Sequence, residues 1–161
     1  MVLVAWRRVV RRGGARRGAA SLVGVIVCLH VATGAAAGAL AGSPLFALAL
    51  GPVLHVAADH VPHQDIPSRR FEIASGVASL ALLAARRGPF DPATLGAISA
   101  AAPDLEHVIP ALRPGGKKLF HRGGGRHRSG ALSTDLQLLV AGAILGLLLA
   151  SPRPSAASKD V

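Results

Sequence analysis

Residues 19–42 read AASLVGVIVCLHVATGAAAGALAG, 24 positions without a charged side chain. About 20 apolar residues suffice to cross the hydrocarbon of a bilayer as a helix. The run therefore predicts a membrane-spanning helix, and it exceeds the apolar core of about 7–15 residues expected of a cleaved secretion signal. On its N-terminal side stand Arg7, Arg8, Arg11, Arg12, Arg16 and Arg17. On its C-terminal side Ser43-Pro44 supplies an N-cap and a first helical position. A second apolar run, Leu45 to Ala58, ends at Asp59, and Pro62 and Pro67 stop it. Pro52 falls inside that run and is expected to kink it. A polar turn, 64–70, leads to a third run, Ile73 to Ala85. A fourth helix starts at Asp91-Pro92 and meets Pro103, which suits the first turn of a new short helix. Residues 113–130 form a Gly- and Arg-rich loop, and Ser133-Thr134-Asp135 offers an N-cap for the last run, Leu136 to Leu149.

Composition points the same way. Of 161 residues, 51% are hydrophobic and 16% charged, where a soluble domain averages about 25% charged. The mean hydropathy is +0.47. Aromatic residues make up 3% of the chain and Tyr is absent, which removes a stacking platform for bases. A single cysteine, Cys28, excludes an intramolecular disulfide and a thiolate zinc finger, so a metal would have to be held by His and carboxylates. The net charge of +10 comes from clusters at the start of the chain and in the late loop, not from a nucleic-acid-binding motif. Nucleic acid is accordingly not an expected partner. If the N-terminus is cytoplasmic and all five runs cross, Lys and Arg divide fourteen to four in favour of the cytoplasmic side.

The expected architecture is thus all-α, an integral membrane bundle of about five embedded helices. It would be a multi-pass membrane protein with a cytoplasmic N-terminus and the lipid bilayer as its partner. A basic cytoplasmic segment, 1–18, would precede an embedded helical domain, 19–150, and a disordered tail, 151–161, would follow.

Ionisable groups are costly in such a chain and tend to mark function. His55 and Asp59 are four residues apart and His63 eight from His55, so one helical face would carry all three. Asp104 and His107, three apart, also share a face if that segment is helical. The topology brings both groups, and the loop 113–130, to the same end of the bundle, with His30 reaching them from mid-span. Imidazoles and carboxylates together suit zinc, with manganese or iron as alternatives. An open coordination position would support hydrolysis, and Arg122, Arg126 and Arg128 could hold an anionic lipid or phosphoester substrate by bidentate contacts. His60 lies off the shared face. Gly115-Gly116-Lys117-Lys118 lacks the upstream Gly and the Ser/Thr of a phosphate-binding loop.

Three stretches carry a resemblance. They are His55-Val-Ala-Ala-Asp59-His60-Val-Pro62-His63, then Ala102-Pro103-Asp104-Leu105-Glu106-His107, then His121-Arg122-Gly123 through His127 and Ser129. Together they resemble the small inner-membrane-associated, metal-dependent hydrolases of bacteria, with His30-Val-Ala-Thr-Gly34 as the HxxxG element of the first helix. The HxxxD element is also similar to the metal-binding helices of zinc-dependent phospholipase C. The resemblance implies His30, His55, Asp59, Asp104 and His107 as metal ligands. The chain departs from the pattern in two places. Glu106 replaces the second Asp of PDxDH, and HRGGGRHRS sets its two histidines six apart rather than five, which weakens the match at His121, His127 and Ser129.

The expected function is metal-dependent hydrolysis at the cytoplasmic face, with Glu106 or His63 as general base or supporting residue. A metal- or lipid-binding protein without catalysis is the alternative from another class. A small transporter would need polar groups through the whole membrane depth, whereas only His30 is deep.

Overall fold

A computed structural model describes residues 26–64, 66–121 and 132–151 of the chain. Their regular structure is helical: α1 (Val27–Ala41), α2 (Pro44–Asp59), α3 (Arg69–Arg87), α4 (Pro92–Ala101), the short α5 (Leu105–Val108) and α6 (Thr134–Ala150). Single 3₁₀ turns at Ala102–Asp104, Pro110–Leu112 and Pro114–Gly116 carry the chain around α5.

The capping signals lie where side-chain chemistry puts them. Ser43 Oγ accepts from the Phe46 amide at 3.4 Å, Asp91 Oδ1 from Ala93 at 2.9 Å and Ser133 Oγ from Leu136 at 3.3 Å. Each satisfies one of the amides a helix start leaves over. Ser68 does the same for Phe71 at 3.3 Å, so α3 begins inside the stretch read as a polar turn. α2 continues through Pro52.

The helices are shorter or more polar than the sequence suggested. Among the described residues no helix is long and apolar enough to cross a membrane. This overturns the expectation of an embedded bundle, and with it the multi-pass inner-membrane placement and the side-to-side topology. The helix ends give the reason. Of the uncharged run 19–42, helix α1 takes 15 residues, about 22 Å at 1.5 Å per residue against a hydrocarbon core of about 30 Å. It stops at Gly42, whose φ of 64° is left-handed, and Pro44 opens the next helix. α2 has 16 residues, α4 has 10 and α6 has 17. α3 has 19 but carries Arg69, Arg70, Glu72, Arg86 and Arg87. The N-terminal basic segment and nearly all of the tail lie outside the described residues, as do Arg122, Arg126, Arg128, His127 and Ser129.

α1 is the central helix, packed on α2, α3, α4 and α6. Two apolar clusters hold it. Ile26, Cys28, Leu29 and Ala32 meet Ala141 of α6; Val31 and Ala35 meet Leu83 of α3 and Ala93, Ala97 and Ala101 of α4. At the far end Arg87, 7% exposed, donates to Asp91 Oδ1 at 3.1 Å and to the Leu148 carbonyl at 3.2 Å. It thereby fastens the end of α6 to the turn between α3 and α4.

Candidate metal centre

Glycine sets how closely the ligand-bearing helices approach. A Cβ on Gly34 would lie 2.4 Å from the Gly96 carbonyl oxygen, and one on Gly38 would lie 2.1 Å from that of Pro92. No side chain fits at either place, so α1 rests backbone to backbone on α4. α2 does likewise through Gly51, where a Cβ would meet Ser99 Oγ at 1.9 Å and the Ala100 nitrogen at 2.6 Å.

One turn beyond Gly51, His55 is fully buried and its Nδ1 donates to the Ala100 carbonyl at 2.8 Å. That oxygen belongs to the last turn of α4, where carbonyls have no partner within the helix. The bond places the ring proton on Nδ1 and leaves the Nε2 lone pair pointing away from α4. Asp59, one turn further on the same face, brings Oδ2 to 3.2 Å from that Nε2.

The other half comes from the segment after α4. Pro103 opens the 3₁₀ turn Ala102–Asp104, as its ring geometry allows. Asp104 Oδ1 then lies 3.8 Å from His55 Nε2. Glu106, 3% exposed, gathers the bend at 119–121. Its Oε2 accepts from the Leu119 amide at 2.7 Å and from Phe120 at 3.4 Å, and its Oε1 accepts from the His121 amide at 3.0 Å. Oε1 also takes the His121 Nδ1 proton at 2.5 Å. His121 Nε2 is thereby turned inward, 3.2 Å from His55 Nε2, 3.1 Å from Asp59 Oδ2 and 3.6 Å from Asp104 Oδ1.

Four ligating atoms thus converge: His55 Nε2, His121 Nε2, Asp59 Oδ2 and Asp104 Oδ1. Five of their separations lie between 3.1 and 3.8 Å. A tetrahedral zinc ion with bonds of about 2.0–2.1 Å requires separations of roughly 3.3 Å. The two carboxylates also balance a divalent charge. Without an ion, a His121 Nε2 proton would face three acceptors at once, and the second Asp104 oxygen, Oδ2, is buried with no hydrogen-bond partner among the described residues. Both observations fit a cation among these donors.

Electrostatics separates the acidic groups. Burial opposes the Asp59 charge, but the hydrogen bonds of His121 and His30, with the His55 ring beside them, outweigh it and hold this carboxyl well below the usual range. Burial dominates at Asp104 and raises it, with the Asp59 charge adding to the effect against the pull of His30 and His55. Burial also opposes the His121 imidazolium, yet its bonds to Asp59 and Glu106 raise its pKa. Glu106 is lowered to about 2, because the His121 bond and three backbone amides overcome its desolvation.

His30, His55, Asp59 and Asp104, all expected as ligands, are brought together. His30 is 1% exposed, stacks on His55 with ring centroids 3.9 Å apart, and sets Nε2 at 3.2 Å from Asp59 Oδ1. That is the oxygen turned away from the other donors, and the Nδ1 of His30 has no partner. The proton therefore belongs on Nε2, and His30 orients Asp59 by donating to it. His107 stands one ring outward, edge-on to His121 at 4.1 Å, with its Nδ1 accepting from Lys118 Nζ at 3.1 Å. Its pKa falls to about 4, through burial first and then the neighbouring His121 and Lys118 charges. Among the described residues it has ligand-forming spacing with Glu106 and His121. His63 joins none of the groups with ligand-forming spacing among the described residues. It pairs in a single parallel bridge with Leu132, and its Nδ1 donates to the Val61 carbonyl.

The residue that sequence reasoning undervalued is His121. Its signal is the HRG triplet at 121–123, and the spacing to His127 carries no sign of the Glu106 carboxylate that orients the ring. Comparison of the chain with protein-family models, with curated proteins and with solved structures found no match.

Proposed function

We propose that the protein is a divalent-metal protein, with zinc as the ion, in which His55, Asp59, Asp104 and His121 hold the metal and the centre hydrolyses a phosphoester. The observation that carries the reading is the convergence of two imidazole nitrogens and two carboxylate oxygens from three separate stretches of chain. His30 and Glu106 support it as the outer partners that fix Asp59 and His121. When bound, the ion would act as a Lewis acid toward a phosphoryl oxygen and lower the pKa of water.

The chain's own residues divide the remaining work. Side-chain exposure is 18% at Asp59 and 16% at Asp104, against none at His55, so substrate approaches from the carboxylate side. Glu106, expected as general base or supporting residue, is engaged at both oxygens and holds its charge down to about pH 2. Its role is to position His121. The motif resemblance to metal-dependent hydrolases supports catalysis. The count of four protein donors favours the alternative, a closed metal-binding centre without turnover.

Elemental analysis of the purified protein tests the site. About one zinc per chain is expected in the wild type and less than about a tenth of that in Asp59→Ala/Asp104→Ala. Equal metal in both proteins would overturn the assignment. Zinc-dependent release of nitrophenol from p-nitrophenyl phosphate, absent from the double variant, would select hydrolysis over the closed centre.

A further inference from the structure

Immediately outside the metal centre three cations gather on one residue. Arg69 Nη2 donates to the His107 carbonyl at 3.0 Å, and Arg113 Nη2 donates to the same oxygen at 3.4 Å. Arg113 Nε also donates to the Glu106 carbonyl at 2.7 Å. Lys118 Nζ sits 3.1 Å from His107 Nδ1. Among the described residues neither arginine makes an ion pair with a carboxylate, and two guanidiniums share one carbonyl oxygen. Like charges this close repel. The carbonyls orient the guanidinium planes but do not discharge them. The arginines hold the backbone carbonyl of His107 and Lys118 holds its ring, which lies 4.1 Å from the ring of His121. Both carboxylates of the centre are spent on the ion in the reading above, so the surrounding rim is positive.

A planar guanidinium with one edge fixed presents its remaining N–H groups as a fork that matches two oxygens of a phosphate. Two such forks, with an ammonium beside them, would discriminate a dianionic phosphate monoester from a monoanionic diester. From this arrangement we infer that Arg69, Arg113 and Lys118 form the anion-recognition rim of the centre, and that its substrate carries a phosphate monoester group. The inference rests on the metal reading for the reaction, but anion binding can be measured apart from it. It also gives described residues the role that sequence reasoning gave to Arg122, Arg126 and Arg128.

The test is titration calorimetry of the zinc-loaded protein with phenyl phosphate and, separately, with short-chain phosphatidic acid below its micelle concentration. Zinc content is measured alongside. Arg69→Gln, on an exposed side chain, and Arg113→Gln are each expected to weaken phenyl phosphate binding about tenfold while leaving the zinc stoichiometry unchanged. Arg113→Lys, which keeps charge but loses the fork, should recover only part of the loss. Equal affinity for the two ligands would place recognition in the phosphate alone; tighter binding of the second would make a lipid headgroup the source of that phosphate. Wild-type affinity in both glutamine variants, or no binding by the wild type, would overturn the rim without touching the metal site. Should Arg113→Gln lose zinc, Arg113 is a structural support and Arg69→Gln decides the matter alone. Loss of zinc from the wild type would instead count against the metal reading.

Discussion

The two halves of the centre are built by opposite means. In the helical half, His55 and Asp59 are placed by close packing: Gly51 lets α2 touch α4, and the touch delivers a carbonyl to His55. In the loop half, His121 has no helix beneath it. One buried carboxylate, Glu106, collects three amides and the imidazole of the same short stretch. The first half is rigid because backbones leave no room. The second is ordered because a charged acceptor is expensive to leave unsatisfied. A metal site can thus join a preformed wall to a flap held by a single side chain, and the halves should fail differently.

The largest effect is expected at the wall. Gly51→Val places carbon against Ser99 and the Ala100 backbone, which costs about 3 kcal/mol or more when backbone must move. Thermal unfolding should show a large drop in Tm, with metal binding lost alongside. His121→Ala breaks only the flap's ligand. Zinc affinity should fall by more than about 100-fold while the melting temperature of the metal-free protein changes little, a separation that calorimetry and competition with a chelator can read together.

Glu106→Gln sharpens the contrast further. Glutamine keeps one acceptor oxygen and turns an NH₂ toward amide donors, so His121 loses its orientation and zinc affinity should fall about 10–100-fold. The sign of the pH effect follows from the lowered pKa. Glu106 titrates near 2 when folded against an ordinary 4.5, so its contribution is fully present above about pH 4.5 and is lost as pH falls toward 2. Acid unfolding of Glu106→Gln should therefore be shallower across that window than that of the wild type. The smallest effect belongs to Ser133→Ala, which removes the cap of α6. About 1 kcal/mol of stability should go, with zinc affinity intact.

Much of the helical half was legible. The i, i+4 spacing of His55 and Asp59 fixes them to one face whatever surrounds the helix, and Ser43, Asp91 and Ser133 announce helix starts by their side-chain chemistry. Pro103 marked the turn that presents Asp104. Length misled at the scale of the whole fold. An uncharged run of 24 residues says nothing of where a helix ends inside it, and small residues chosen for close packing inflate hydropathy as lipid-facing residues do. The loop half was hidden for another reason. The motif leaves Glu106 either a general base or a supporting residue; that it spends its lone pairs on amides thirteen to fifteen residues later is a tertiary fact. His121 depends on that fact entirely.

Gln137 on α6 carries a consequence for transplanting the centre. Its side chain is fully buried, with Oε1 accepting from the Ile26 amide at 3.3 Å and Nε2 donating to the carbonyls of Gln64 at 2.8 Å and Leu132 at 3.3 Å. One amide thus rivets the entrance of α1 and the exit beyond α2 to a helix that brings no donor of its own. A designer who grafted His30, His55, Asp59, Asp104 and His121 into a new scaffold without such a rivet would copy the inventory and lose the registration.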